Sequence, residues 1–154
     1  MIRADKGCSG VGFTLELESG FRDIIHISGV WGLVENIVQG TVTPDEFYVF
    51  KRTLLLGKDA IIRRKLGEKE KTMIYGKDQI NPVINISTPQ EKKDQYVLNK
   101  EEITLLSKWA ILIEEHYRKP MDSEWAKDGI TNEIFIIQAR PETVKSQVDP
   151  LKIK

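Results

Sequence analysis

The sequence predicts an α+β fold with a mostly antiparallel sheet and one long helix packed on it. Short runs in the first half of the chain alternate between apolar and polar residues, as half-buried strands do. Glycines and prolines separate these runs, which is typical of strands joined by tight turns. Further along, one long segment carries apolar residues at helical spacing between a capping residue and a proline.

The predicted strands follow one another from residue 11 onwards. The first covers residues 11–18, and its apolar face consists of Val11, Phe13, Leu15 and Leu17. The other candidates are residues 22–31, 46–51, 60–67 and 71–76. Residues 32–40 form a short apolar segment between glycines, and we expect the polar residues 77–95 to form a loop with at most one short helical turn.

The clearest element is a helix over residues 99–120. Asn99 can cap it, and Glu102, three residues later, completes a capping box. Pro120 ends it, because proline cannot continue the helical hydrogen bonds. The face expected to cover the sheet consists of Ile103, Leu106, Ala110, Ile113 and Tyr117, widened by Leu105, Trp109, Leu112 and His116.

Composition and charge exclude several classes of protein. The chain has 23 basic and 23 acidic residues, so it lacks the positive charge of a general nucleic-acid binder. No apolar run reaches the roughly 18 residues that span a bilayer, and the N-terminal residues do not resemble a signal peptide. We therefore expect a cytoplasmic protein without a membrane partner. Cys8, the single cysteine, is expected to be a small packed residue, and His26 is expected to be half-exposed.

Residues 121–143 are predicted to form a hairpin with polar side chains at alternating positions. If the strands pair about Thr131, Glu124 lies opposite Gln138 and Asp122 lies opposite Arg140. A slip of one residue would reverse the faces, and the sequence alone does not fix the register. The residues expected to share one face of the second strand are Ile134, Ile136, Gln138 and Arg140.

Two interpretations of this polar face are open on spacing alone. A carboxylate and an amide oxygen suit Mg²⁺, and an arginine beside them can hold phosphate oxygens. Together such groups neutralise a polyphosphate, which phosphoryl transfer requires. The other interpretation is two ordinary cross-strand pairs on a wet surface, which contribute little to stability. Spacing by itself favours the ordinary pairs.

Three motifs, in order, resemble the nucleotide-binding domain of the phosphoenolpyruvate synthase family. The run DKGCSGVGFTLELESGFRD is similar to the family's D-K-G-A-S-G-V-x-F-T…E-S-G-F-R-D. The run GVWGLVENIVQGTVTPDEFYVFK is similar to Y-G-L-G-E-x-V-V-Q-G-x-V-x-P-D-E-F, and DSEWAKDG…IFIIQARPET to D-x-E-W…Q-A-R-P-E-T. The resemblance covers nearly the whole chain. It implies that residues 1–144 are the C-terminal part of an ATP-grasp domain and that residues 145–154 are a linker tail.

The resemblance also implies the site residues. Arg140 corresponds to an arginine that contacts the phosphates and stabilises charge during transfer, so it is the implied catalytic residue. The implied ATP-binding residues are Glu35, Glu124, Gln138 and Arg140, and the implied Mg²⁺ residues are Glu124, Gln138 and Asp122. Val34 stands where the family has glycine, and a β-branched residue reaches positive φ only at a cost. The turn before Glu35, or its approach to the nucleotide, is therefore expected to differ from the family's.

The reaction implied by the resemblance passes a phosphoryl group from ATP to a histidine and then to pyruvate. Phosphoenolpyruvate, AMP and phosphate are the products, as in gluconeogenesis. The family's N-terminal ATP-grasp half, phosphohistidine domain and pyruvate-binding barrel do not occur in this sequence. We therefore expect a fragment or a split gene product that needs those partners, is inactive alone and can self-associate through an uncovered surface. Two alternatives stay open: the ATP module of another dikinase, of the pyruvate phosphate dikinase or antibiotic phosphotransferase type, and a catalytically idle nucleotide-binding or regulatory fragment.

Overall fold

The computed structural model describes residues 2–15, 22–76 and 82–141. The strands are β1 Cys8–Phe13, β2 Ile24–Trp31, β3 Asp45–Phe50, β4 Ile61–Lys65, β5 Lys71–Tyr75, β6 Val83–Ser87, β7 Met121–Lys127 and β8 Ile134–Pro141. The helices are α1 Glu35–Val38, α2 Lys51–Leu55, α3 Gln90–Lys93 and α4 Lys100–Tyr117, preceded by a 3-10 turn at Ala4–Lys6. The predicted α+β class with one long helix is confirmed. The predicted tail, residues 145–154, lies outside the described residues.

Six of these strands form one antiparallel sheet, in the order β4-β3-β2-β1-β7-β8, and β5 pairs with β6 in a separate hairpin. Strand β1 begins at Cys8, three residues before the predicted start. Its first half has small residues, because Gly10 lies opposite both Gly29 and Trp125. A Cβ at Gly10 would come within 2.7 Å of the Trp125 ring. Apolar alternation therefore could not reveal this part of the strand.

The segment predicted as a loop contains an additional strand. Strand β6 pairs with β5 and is exposed along its whole length, so it shows no buried face that a sequence pattern could reveal. The loop prediction is therefore wrong for Val83–Ser87. The single short helical turn expected in this stretch is α3. None of the helices in the described part of the chain has the length and apolar character that a membrane crossing requires.

Helix α4 packs on the sheet face that carries the main core. Its capping box is confirmed, since the Asn99 side chain accepts from the backbone N–H of Glu102, whose side chain accepts from the Asn99 N–H. Arg118 ends the helix in the left-handed conformation at φ 56°, two residues before Pro120. The buried helix residues are Ile103, Leu106, Ser107, Ala110 and Ile111. The buried face is narrower than predicted: Trp109 packs against the core, but Leu105 and Leu112 from the predicted widening and Tyr117 from the predicted face itself are exposed.

A fully buried ion pair joins the sheet to the β5–β6 hairpin. The Lys69 Nζ atom lies 2.6 Å from Asp45 Oδ1, and neither side chain is exposed. The Asp45 carboxylate also accepts from the backbone N–H groups of Gly67, at 2.7 Å, and Val97, at 2.9 Å. The Lys69 ammonium donates in addition to the backbone carbonyl of Lys93 at 3.1 Å. Strand β3, the segment before β5 and the segment before α4 thus meet at one carboxylate.

We predict that Asp45→Ala strongly destabilises the chain. The substitution leaves the Lys69 ammonium buried without its carboxylate, which costs about 3–5 kcal/mol of the free energy of unfolding. Urea denaturation at neutral pH measures this loss. The matched control is Asp59→Ala, which breaks an exposed pair with Lys100 and is expected to cost far less. Equal losses for the two variants would contradict a structural role for the buried pair.

Candidate functional site

Strands β7 and β8 form a hairpin whose polar residues pair as the sequence predicts. Asp122 lies opposite Arg140, and Glu124 lies opposite Gln138. Directly opposite residues of an antiparallel pair extend from the same face of the sheet. The pairing about Thr131 is therefore confirmed for these four positions. On the other side of β7, Asp122 and Glu124 lie opposite residues of β1.

The turn of this hairpin is held by one carboxylate. The Asp128 side chain accepts from the backbone N–H groups of Arg3, Ile130 and Thr131, at distances of 2.8 to 3.1 Å. These hydrogen bonds hold the pKa of the Asp128 carboxyl below its usual value, and the bond from the Arg3 N–H has the largest effect. Asn132 takes a left-handed conformation at φ 64°, as asparagine does in turns.

A β-bulge changes which residues of β8 share a face. The register shifts between Glu124 and Trp125, so that Glu124 lies opposite Gln138 but Trp125 lies opposite Ile136. Ile137 is the extra residue, and it shifts the alternation of side chains along the strand by one position. Even-numbered residues before it face the main core, and even-numbered residues after it face the polar side of the sheet. The single face predicted for four residues of this strand is wrong. The four residues are Ile134 and Ile136, on the core side, and Gln138 and Arg140, on the polar side.

A pocket of about 280 Å³ opens on the polar face of the sheet. The hairpin contributes the charged residues of its lining, which we call the charged wall, and α1 contributes apolar residues, which we call the apolar wall; β1 contributes two further apolar residues. The lining residues are Asp122, Ser123, Glu124 and Arg140 from the hairpin, Val11 and Phe13 from β1, and Ile37 and Val38 from α1. Gln138 lies beside the pocket as the cross-strand partner of Glu124. The pocket thus brings together most of the predicted hairpin residues, and it adds four apolar residues that the sequence did not indicate.

Arg140 and Asp122 form a cross-strand ion pair at this wall. The Arg140 Nε atom donates to Asp122 Oδ1 at 3.0 Å and approaches Oδ2 at 3.4 Å. The Arg140 side chain is 69% exposed, so the guanidinium reaches solvent beyond the carboxylate. Because the bond uses Nε, it leaves the donors of the two Nη groups for other acceptors, such as the oxygens of an anion.

The protein oxygens at this wall are too few to hold Mg²⁺ alone, so a bound phosphate would have to supply further oxygen ligands. Among the described residues, no group of three or more His, Cys, Asp or Glu side chains is arranged to hold a metal ion. Glu124 and Gln138 provide one carboxylate and one amide oxygen from opposed positions. Magnesium is commonly held by one or two protein oxygens together with phosphates and water. The pair is therefore suited to Mg²⁺ that arrives with a polyphosphate.

The G-L-V-E segment does not need a glycine at Val34. Val34 has φ −71° and ψ −17°, a right-handed conformation that valine adopts without strain. Gly32 is the residue that must be glycine. Its φ is +82°, and a Cβ at this position would clash with the Met73 carbonyl oxygen at 2.4 Å. Glu35 is the first residue of α1, is exposed and is not among the residues that line the pocket.

His26 and Cys8, the two other side chains considered for a chemical role, do not line the pocket. His26 is buried rather than half-exposed, because it stacks on Tyr48 with ring centroids 4.7 Å apart and its Nε2 lies 3.1 Å from Glu46 Oε1. Cys8 lies in the main core, where its thiol donates to the Val97 carbonyl at 3.5 Å. Burial raises the pKa of the Cys8 thiol to about 12.

Sequence comparison assigns the family. Residues 1–154 match the family model described as "Pyruvate phosphate dikinase, AMP/ATP-binding domain". The chain belongs to this family. It is 53% identical over 154 residues to a phosphoenolpyruvate synthase of Aquifex aeolicus, covering 96% of this chain and 18% of that protein. It is 49% identical over 149 residues to a phosphoenolpyruvate synthase of Escherichia coli, with 96% and 19% covered.

The predicted family is thereby confirmed, and the predicted position within it is corrected. The chain spans about a fifth of the length of these curated relatives. The comparisons support an N-terminal fragment of such an enzyme rather than the predicted C-terminal part of the ATP-grasp domain. The pocket with its charged wall therefore lies in a chain of an AMP/ATP-binding family.

We predict that Cys8 is unreactive in the folded chain. A thiol with its pKa raised to about 12 is almost wholly protonated at neutral pH, and its position in the core excludes reagents. Titration with a chromogenic disulfide at about pH 8 should show no fast reaction before unfolding and one thiol per chain in denaturant. Cys8→Ser provides the background rate. A fast native reaction would contradict the buried position.

Proposed function

We propose that this chain forms one wall of the ATP site of a phosphoenolpyruvate synthase. In the whole enzyme a phosphoryl group would pass from ATP to a histidine and then to pyruvate, which gives phosphoenolpyruvate, AMP and phosphate. The observation that carries the proposal is the charged wall of Asp122, Glu124 and Arg140 beside a pocket in an AMP/ATP-binding family member. The names of the curated relatives support this reaction.

Glu124 and Gln138 are the residues that would hold Mg²⁺ on the phosphates of ATP. They lie opposite each other on β7 and β8, so both oxygens face the same side of the sheet. When bound there, the metal neutralises charge on the phosphate oxygens. The two strands fix the relative position of the ligands through backbone hydrogen bonds, so little order has to be imposed when the nucleotide binds.

Arg140 is the residue that would stabilise negative charge as the phosphoryl group is transferred. Its planar guanidinium can contact two phosphate oxygens at once. Asp122 contacts Arg140 Nε, so we assign Asp122 the role of orienting the guanidinium rather than that of a direct metal ligand. The sequence expectation that Asp122 supports the metal is thus replaced by a positioning role within the same wall.

A second candidate is the ATP module of a pyruvate phosphate dikinase. The description of the matching family favours it, whereas the names of the curated relatives favour the synthase. The two enzymes share ATP and pyruvate but differ in whether phosphate is a substrate. A phosphate requirement of the whole enzyme for phosphoenolpyruvate formation would therefore select the dikinase.

The wider parts of the proposal concern the whole protein. The domains that carry the phosphohistidine and bind pyruvate would be supplied outside this chain, which spans only about a fifth of its relatives. The proposal includes a cytoplasmic location and a role in gluconeogenesis for the whole enzyme. Glu35, which is exposed at the start of α1, would approach the nucleotide only from outside the pocket.

We predict that the chain binds magnesium ATP weakly and that Glu124→Ala weakens this binding at least tenfold. Removing the carboxylate removes a metal ligand, and a tenfold change corresponds to about 1.4 kcal/mol. Calorimetric titration with and without Mg²⁺ measures the effect. The matched control is Glu133→Ala, an exposed glutamate at the other end of the same hairpin, which should bind like the unaltered chain. Unchanged affinity in Glu124→Ala would contradict the proposed metal site.

The role of Asp122 can be separated from that of a metal ligand by a double-mutant cycle. If Asp122 acts through Arg140, the double variant Asp122→Ala/Arg140→Ala should bind magnesium ATP no more weakly than Arg140→Ala alone. The same titrations supply all four affinities. Losses that add would show that Asp122 contacts the ligand or the metal independently.

A further inference from the structure

The short helix α1 is anchored by one buried side chain. Asn36 is fully buried, and its Nδ2 atom donates to Asn85 Oδ1 on β6 at 2.8 Å. Its Oδ1 atom accepts from Thr41 Oγ1 at 3.1 Å. Both ends of the amide are therefore occupied, which fixes its orientation. A four-residue helix has little stability of its own, so its position depends on such contacts.

The same helix presents apolar side chains to the nucleotide pocket. Ile37 and Val38 line the same pocket as the charged residues of the hairpin. Val38 is 66% exposed, so most of its side chain is available for contact with a ligand in the pocket. Pockets for small molecules combine apolar lining with a few polar groups that fix orientation. The pocket has this division, with charge on one wall and hydrocarbon on the other.

We propose that Ile37 and Val38 pack against the nucleoside part of bound ATP, and that Asn36 and Asn85 are positioning residues for this wall. The inference rests on the proposed function, because it takes the hairpin wall as the phosphate side. The uncharged sugar and base lose less by leaving water than phosphates do, so they are the parts that match an apolar wall. The β5–β6 hairpin then supports the site through the Asn36–Asn85 hydrogen bond, together with the backbone bond from the Leu33 N–H to the Met73 carbonyl just before α1.

Asn85 is the residue to change, because it lies on the exposed strand β6 and not in the core. Asn85→Ala removes the acceptor of the Asn36 amide, whereas Asn85→Asp keeps an oxygen at that position and should restore the contact. Ile84→Ala, at the neighbouring exposed position, controls for loss of a side chain from the strand. Val38→Ser tests the wall directly at an exposed residue, where folding is not at risk.

The test compares the affinities of the chain for magnesium ATP and for magnesium tripolyphosphate, which lacks the nucleoside. We expect Asn85→Ala and Val38→Ser to weaken ATP binding at least threefold and to leave tripolyphosphate binding unchanged. Asn85→Asp and Ile84→Ala should behave like the unaltered chain. Amide hydrogen exchange should be faster at Ile37 and Val38 in Asn85→Ala only, since both amides donate to the Val34 carbonyl within α1.

The outcomes separate this inference from the function on which it rests. If the unaltered chain binds ATP, Glu124→Ala loses it and Asn85→Ala does not, the inference is overturned and the proposed function stands. Equal weakening for ATP and tripolyphosphate also overturns it, because the wall would then act on the phosphates. A chain that binds neither ligand, or that binds ATP equally well as Glu124→Ala, overturns the proposed function and the inference with it.

Discussion

The ion pair between Asp45 and Lys69 is the contact on which the arrangement of the smaller elements depends. A buried charge is tolerated only when its partners are fixed, and here they include backbone groups of Gly67 and Val97. These groups belong to segments that lie outside the strands of the main sheet. The pair therefore sets where the β5–β6 hairpin begins and where the chain enters α4, relative to β3.

The two walls of the candidate site are held in place by different kinds of contact. Its charged wall and its lining residues from β1 are part of the sheet, where Val11 lies opposite Glu124 and Phe13 lies opposite Asp122. Its apolar wall is the short helix α1, which is tied to the β5–β6 hairpin by the bond from Asn36 to Asn85 and, just before the helix, by the backbone bond from Leu33 to Met73. Ladder hydrogen bonds are many and cooperative, whereas these ties are few among the described residues. The apolar wall is thus the part of the site whose position follows the β5–β6 hairpin.

The sequence predicts the charged wall of the site better than the apolar wall, and the reason is physical. The pairing about Thr131 could be proposed from the sequence, because turn residues such as Asp128 and Asn132 lie between the two strands, but only the structure fixes the register. The bulge at Ile137 could not be predicted, since residues 134–137 are all apolar and hide the shift in alternation that an extra residue causes. The α1 wall could not be predicted either, because its placement depends on a contact between residues 49 positions apart. Its one available signal was apolar residues in a short segment between glycines.

Under the proposed function, the exposure of the charged wall separates its role in binding ATP from its role in catalysis. The Arg140 guanidinium is 69% exposed, and in water its attraction to an anion is strongly screened. The same charge acts much more strongly when water is excluded, as in a closed active site. Under the proposed function, the nucleotide itself and a covering part of the whole enzyme would lower the local dielectric around Arg140. The catalytic strength of this wall is then a property of the closed site, while its geometry is already set by the register of β7 and β8.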